Sequence, residues 1–241
     1  VRLFYVFWKI WFAFSFVVTF FLLYPLFYIC FRVRRIDWAY KLKIFWAYVP
    51  CYLSFLIPRV YYEKKFRWPK KAVIVANHSS YLDIALVPFF CKHTAIFMGK
   101  HELLKVPLFR NFFIYMDIPV NRKSPTDAHR AFVRAAEELK KNRNVVIFPE
   151  GTISQQGKLK PFKDGAFRLA IQEKVPIIPV VYKENWKYLQ NGGFLKARAH
   201  GGFPEVFVGA PLSTENLSLS DADALKEQIR NFMLKKLDEW K

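Results

Sequence analysis

The stretch that decides the fold reads Ala72-Val73-Ile74-Val75-Ala76-Asn77-His78-Ser79-Ser80-Tyr81-Leu82-Asp83. Its first five residues are small or β-branched and wholly apolar, the signature of a short strand buried on both faces. The strand runs out into a polar turn, and Ser80 is a good N-cap for a following helix, with Asp83 at its third position. On one regular helix, His78 and Asp83 would diverge by about 140°. They meet only if His78 sits in the turn and Asp83 reaches back from the first helical turn. A carboxylate bonded to one imidazole nitrogen leaves the other free as a base. The same spacing is also a variant capping box, and an Asp at a helix start needs no catalytic reason. Taken alone, the segment supports both readings.

Downstream, the pattern alternates. Thr94–Met98, Ile118–Val120, Val145–Phe148, Ile177–Tyr182 and Val206–Val208 read as further strands. Between them, Thr126–Lys141 has an amphipathic period with Ala128, Phe132, Ala135 and Leu139 on one face. A last helix, capped by Ser220, turns Leu225, Ile229, Met233 and Leu237 inward. Strands separated by helices predict an α/β fold: a single sandwich with a mixed, largely parallel central sheet flanked by helices. Ligands in such sheets gather at the carboxyl ends of the strands, where His78 stands.

Upstream, the chain changes character. Ile10–Phe31 contains no charged residue; as helix it would measure roughly 33 Å, against about 30 Å for a bilayer core. The stretch is too long and aromatic for an ordinary signal peptide. Arg32, Arg34 and Arg35 follow, then a second apolar stretch from Ile36 to Ile57, kinked at Pro50 and ended at Pro58. The short link forces a helical hairpin. It either spans the bilayer as a pair or lies partly sunk in one leaflet, and its many Trp and Tyr residues favour the second arrangement. The expected organisation is a two-helix membrane-anchoring motif over residues 1–61 and an α/β domain over residues 62–241. Lys64, Lys65, Arg67, Lys70 and Lys71 begin the latter as a basic linker that meets either headgroups or water.

Across 241 residues the formal charge is +19, which points to an anionic partner: a lipid headgroup, a phosphorylated substrate, an acidic carrier protein or nucleic acid. Nucleic acid is disfavoured, because no recognised nucleic-acid motif is present and the aromatic residues concentrate in the apolar front. Cys30, Cys51 and Cys91 follow no metal or redox spacing, and the first two read as small hydrophobes. The five histidines show no ligand spacing either, so no metal is expected. There is no Gly-x-Ser-x-Gly elbow and no cysteine beside His78, so a covalent acyl-enzyme is not suggested.

Two further elements could receive a phosphate. Pro149-Glu150-Gly151-Thr152 forces a sharp turn after a strand, with backbone N–H groups and a hydroxyl available. Lys105 and Arg122 are candidate phosphate cations, although each singly is as readily a solvated charge.

In order along the chain stand Asn77-His78-x4-Asp83, Ile118-Pro119-Val120-Asn121-Arg122, Phe148-Pro149-Glu150-Gly151-Thr152 and Val175-Pro176-Ile177-Ile178-Pro179-Val180, with Pro161-Phe162-Lys163-Asp164-Gly165-Ala166-Phe167 between the last two. Together, over roughly residues 72–182, they resemble the bacterial 1-acylglycerol-3-phosphate acyltransferases, a family of glycerolipid acyltransferases with a His-x4-Asp motif. The resemblance implies that His78 takes the proton from the acceptor hydroxyl while Asp83 orients it. It implies that Arg122, with Lys105, holds the acceptor phosphate, that Glu150, Gly151 and Thr152 shape the acceptor site, and that Val175–Val180 is a strand beside the acyl pocket.

It further implies transfer of a fatty acyl group from acyl-CoA or acyl carrier protein to lysophosphatidic acid at an anionic membrane surface. Neither thioester is a bound cofactor, and the catalytic domain would face the cytoplasm at the inner membrane. Three positions depart from the pattern: Arg110 and Asp117 stand where relatives have glycine, and Ile153 where they commonly have Arg or Ser. Another acceptor (glycerol-3-phosphate, a lysophospholipid or a lyso-amino-lipid) remains open, as does a non-catalytic basic membrane-binding protein.

Overall fold

The computed structural model describes residues 2–121 and 123–240. Two helices open it, α1 (Arg2–Arg32) and α2 (Ile36–Leu53). Strand β1 (Arg59–Tyr62) leads to β2 (Val73–Ala76), helix α3 (Leu82–Phe90) and β3 (Ala95–Lys100). After a 3₁₀ turn at His101–Lys105 come α4 (Arg110–Tyr115), β4 (Ile118–Val120), α5 (Pro125–Lys140) and β5 (Asn144–Ile147). The chain closes with α6 (Gly165–Gln172), β6 (Ile177–Tyr182), α7 (Asn185–Tyr188), β7 (Glu205–Val208) and α8 (Ala222–Glu239).

The strands form one seven-stranded sheet in the order β1-β7-β6-β2-β5-β3-β4. Every neighbouring pair is parallel except β6 with β7. The mixed, largely parallel α/β sandwich expected from the sequence is therefore what forms. Strand β2 is central, with Val73 level with Val145 on one side and Ile177 on the other, and all four of its residues are buried. That explains its unbroken apolar run. Because β2, β3, β4, β5 and β6 all point the same way, the segments leaving their carboxyl ends share one edge of the sheet.

Several local readings shift. Strand β1 went unseen because it is a four-residue edge strand, mostly exposed and held only by β7, and it straddles the expected break at residue 61. On α5 the inward face is Ala131, Ala135, Ala136 and Leu139, whereas Ala128 is exposed. Ser220 does not start α8; the capping box belongs to Ser218 and Asp221 on a preceding 3₁₀ turn. Pro50 lies inside α2, and Pro58 does not end it: Phe55 takes a left-handed φ of 57°, and Leu56 N–H returns to the Cys51 carbonyl at 2.8 Å. The turn between α1 and α2 closes the same way, with Arg34 at φ 54° and Arg35 N–H on the Cys30 carbonyl at 2.8 Å.

The hairpin is bonded into the α/β body along its length. Tyr40 of α2 donates its hydroxyl to the Cys91 carbonyl of the body at 2.8 Å, while Trp8 ties α1 to the end of α2 through its indole N–H on the Ser54 carbonyl at 3.0 Å. Phe20, Phe27, Phe31 and Trp46 close around Phe112 of α4. Lys9, buried in the face of α1, donates to the Phe194 carbonyl at 2.7 Å and also to the Ala197 carbonyl. The outward face of α1 carries Leu3, Phe7, Phe14, Phe21, Leu22 and Ile29, all exposed. By length and composition α1 is sufficient to cross a membrane.

Candidate active site

The turn after β2 is built around a single carboxylate. Asp83 is wholly buried, and its Oδ2 accepts from His78 Nδ1 at 3.0 Å, Ser79 N–H at 2.7 Å and Ser80 N–H at 2.9 Å. Its Oδ1 accepts from Asn185 Nδ2 at 2.7 Å. Asp83 does reach back, as the second residue of α3, and its bond from Ser80 N–H is the one a capping box makes. Ser80 contributes separately: its Oγ accepts from Leu82 N–H at 3.1 Å and donates to the Leu189 carbonyl at 2.7 Å.

This arrangement fixes the imidazole. A carboxylate already accepting from three other N–H groups is the ionised acceptor, so His78 Nδ1 carries the proton and donates it. The lone pair is then on Nε2, to which no hydrogen bond from the described residues is made. Phe148, at the end of β5, stacks on the imidazole with ring centres 4.2 Å apart and planes 23° from parallel.

Asn77 clamps the turn from the other side. Its Nδ2 donates to the Tyr182 carbonyl at 2.9 Å, and its Oδ1 accepts from Tyr182 N–H at 2.8 Å. The ends of β2 and β6 are thereby tied together.

Glu150 is also buried, and both of its oxygens are engaged by backbone. Oε1 accepts from His78 N–H at 2.7 Å and Oε2 from Lys160 N–H at 2.9 Å. Ser154 N–H closes the same turn onto the His78 carbonyl at 2.7 Å. Burial pushes the Glu150 carboxyl above its usual range, opposed by those two N–H groups. Within the set expected to shape an acceptor site, Glu150 holds the backbone of His78. Gly151 has a φ of 75°, a conformation that favours glycine, and the Lys163 side chain crosses over it, 3.1 Å from where a Cβ would lie. Thr152 is exposed, and its Oγ1 accepts from Lys160 Nζ at 3.0 Å; the same ammonium also donates to the Ile153 carbonyl at 3.0 Å.

Lys105 is exposed at the end of the 3₁₀ turn after β3, on a cleft of about 350 Å³ that it lines with Arg110 and Asn111. Arg122 lies outside the described residues. Asp117 is buried; its Oδ2 accepts from Lys43 Nζ of α2 at 2.7 Å and its Oδ1 from Phe97 N–H at 3.0 Å. All three cysteines are free and buried, and among the described residues no cluster of side chains suits a metal.

Asn185 and Lys160 were missed by sequence reasoning. Asn185 leaves the end of β6 just as His78 leaves β2, and only the strand order reveals that the two meet. Lys160 has no signal in the sequence, since its side chain reaches back over a loop.

The acyltransferase family model matches residues 58–183, slightly more than half of the chain. A 1-acyl-sn-glycerol-3-phosphate acyltransferase of Borreliella burgdorferi is 30% identical over 70% of this chain and 68% of its own length. The enzyme of the same name from Cocos nucifera is 34% identical over 46% of this chain, a match taking in 37% of that protein. The crystal structure of the 1-acyl-sn-glycerophosphate acyltransferase PlsC of Thermotoga maritima superposes with a TM-score of 0.80, at 23% identity, covering 100% of this chain and 98% of that one. At that identity the likeness speaks for the fold. With a match over more than half of its length that takes in the His78–Asp83 turn, the chain belongs to the acyltransferase family.

Proposed function

We propose that the protein transfers a fatty acyl group from a thioester, acyl-CoA or acyl carrier protein, to the sn-2 hydroxyl of 1-acylglycerol-3-phosphate, giving phosphatidic acid. The observation that carries the mechanism is the 3.0 Å contact between His78 Nδ1 and a fully bonded Asp83. Nε2 takes the hydroxyl proton as the oxygen attacks the thioester carbonyl carbon. The tetrahedral intermediate collapses with loss of the C–S bond, and the imidazolium returns its proton to the departing thiolate. Asp83 stabilises the imidazolium in between, and general-base help of this kind contributes about 10²–10⁴-fold.

The acceptor is supported by the names of the relatives and by the cationic character of the strand ends. Lys105 and Arg122 are assigned to the acceptor phosphate, and Lys160 sets a further cation at the Glu150–Ile153 turn. Membrane association is supported by the exposed apolar face of α1. Because the other face is packed on the α/β body, the hairpin is read as lying in one leaflet with the catalytic domain on the cytoplasmic side of the inner membrane.

The test is purified protein in mixed micelles with labelled acyl-CoA or acyl carrier protein and a panel of acceptors. Wild type should acylate lysophosphatidate in preference to glycerol-3-phosphate or lysophosphatidylcholine, and His78→Ala should lose about 10²–10⁴-fold in kcat. A folded His78→Ala protein of near-normal turnover would remove His78 from the chemistry.

A further inference from the structure

Beside the His78 turn lies a cavity of about 160 Å³ lined by Ser79, Ser154, Gln156, Trp186, Gln190 and Asn191. None of these six side chains is charged, although the chain as a whole carries +19. The cavity is coupled to the reacting centre at three points. Ser79 follows His78 directly and gives its N–H to Asp83, Ser154 gives its N–H to the His78 carbonyl, and Trp186 follows the Asn185 that holds Asp83.

Its walls are fixed and yet carry unused hydrogen-bonding capacity. Ser79 is 1% exposed, and its Oγ is buried without a hydrogen-bond partner among the described residues. A buried hydroxyl in that state is costly, and ligand-binding sites are where such costs are tolerated. The Trp186 ring lies hard against Gly157, where a Cβ would come within 2.6 Å of its Nε1, so the indole has little freedom to move. No hydrogen bond among the described residues uses its N–H. Gln190 is anchored at one end only, its Oε1 accepting from Arg198 N–H at 2.9 Å.

The lining rules out two parts of the substrates. A phosphate calls for cations, which the walls do not supply. An acyl chain calls for an apolar lining, and here only the indole is apolar. What fits hydroxyl, carboxamide and indole N–H groups beside a flat ring is a neutral planar group that both donates and accepts, namely a secondary amide. In a thioester donor the first such amide lies two methylenes from the sulfur, on the pantetheine arm shared by coenzyme A and acyl carrier protein. We propose that this cavity receives the amide-bearing pantetheine arm of the acyl donor, with Ser79 Oγ and Trp186 Nε1 donating to its carbonyl groups. The proposal rests on the acyl-transfer reading above, but it assigns the donor's position independently of the acceptor's identity.

Two variants test it, Ser79→Ala and Trp186→Phe, which remove one donor each and keep most of the volume. Because Ser79 Oγ has no partner to lose, Ser79→Ala should melt no lower than wild type. Three acyl donors are compared at fixed acceptor: acyl-pantetheine, acyl-N-acetylcysteamine and a plain S-ethyl thioester that lacks any amide. Each variant should reduce kcat/KM for acyl-pantetheine by about 5–10-fold relative to its own rate with the S-ethyl thioester, the range expected for losing one neutral hydrogen bond. Equal effects on all three donors, or an effect confined to the acceptor's KM, would overturn the assignment. Binding of pantetheine itself, followed by saturation-transfer NMR, needs no turnover. Saturable binding weakened in both variants supports the subsite even if the acceptor proves to be another lipid; no binding to wild type, or equal binding to all three proteins, overturns it.

Discussion

Lys43 on the hairpin and Asp117 at the entrance to β4 form an ion pair at 2.7 Å, with side chains only 12% and 6% exposed. The Lys43 ammonium also sits 4.3 Å from the centre of the Phe97 ring. An uncharged residue at position 117 would leave a largely buried ammonium without its counter-charge. Breaking such a pair from one side leaves an uncompensated charge.

Lys43→Met should therefore cost about 2–4 kcal/mol of stability, the Asp117 bond to Phe97 N–H softening the usual penalty. The double variant Lys43→Met/Asp117→Asn should recover most of it, since Asn keeps an acceptor for that N–H. Thermal midpoints in one detergent, arranged as a double-mutant cycle, measure the coupling. A single variant as stable as wild type would show that the pair does not hold the hairpin.

Asp83→Asn presents an amide where four donors converge, so at least one N–H must face another. A fall of about 10²–10⁴-fold in kcat is expected, together with a lower melting point. Asn185→Ala leaves Asp83 Oδ1 without a partner at a cost of about 1–3 kcal/mol, and kcat should fall by less than in Asp83→Asn. The order of the two, read from saturating-substrate rates, is the check; a larger loss in Asn185→Ala would mean that Asn185 does more than position the carboxylate.

Glu150→Gln replaces one of two acceptors by an N–H that opposes either His78 N–H or Lys160 N–H. The His78 backbone should shift and kcat should drop about tenfold or more. The pH dependence has a definite sign. Burial raises the folded-state value of the Glu150 carboxyl above its ordinary 4.5, so its stabilising contribution is fullest below that pH and declines as pH rises through the folded value. The stability difference between wild type and Glu150→Gln should accordingly be greatest in acid and smaller at neutral pH. A flat difference from urea titrations across that range would contradict it.

Burial pushes the Cys91 thiol up to about 12. In the folded protein at pH 8 it should resist iodoacetamide and become labelled only on unfolding, as mass spectrometry of the peptide would report. Rapid labelling of folded protein would mean that the α3 end opens locally.

Much of this architecture was legible in the sequence because central strands announce themselves. The Val73–Ala76 and Ile177–Tyr182 strands are buried throughout, which demands an apolar run, and in Asn144–Ile147 only the leading Asn144 breaks it. The edge strand Arg59–Tyr62 faces solvent and has no such constraint, which is why it read as linker. The His78–Asp83 contact was foreseeable because both residues lie on one turn. Asn185 and Lys160 were not, because their partners are 102 and 10 residues away in the chain and only the sheet order and a loop's return bring them close. Arg110 at the start of α4 remains a departure that nothing in the structure explains.

The buried Lys9 links two things otherwise unrelated in sequence. It grips the carbonyls of Phe194 and Ala197, and that same loop begins with Gln190 and Asn191 on the wall of the His78 cavity. Peeling the first helix away from the body would slacken that wall in the same movement. The position of the first helix thereby sets the position of that wall, although the Lys9 bonds span 185 and 188 residues of sequence.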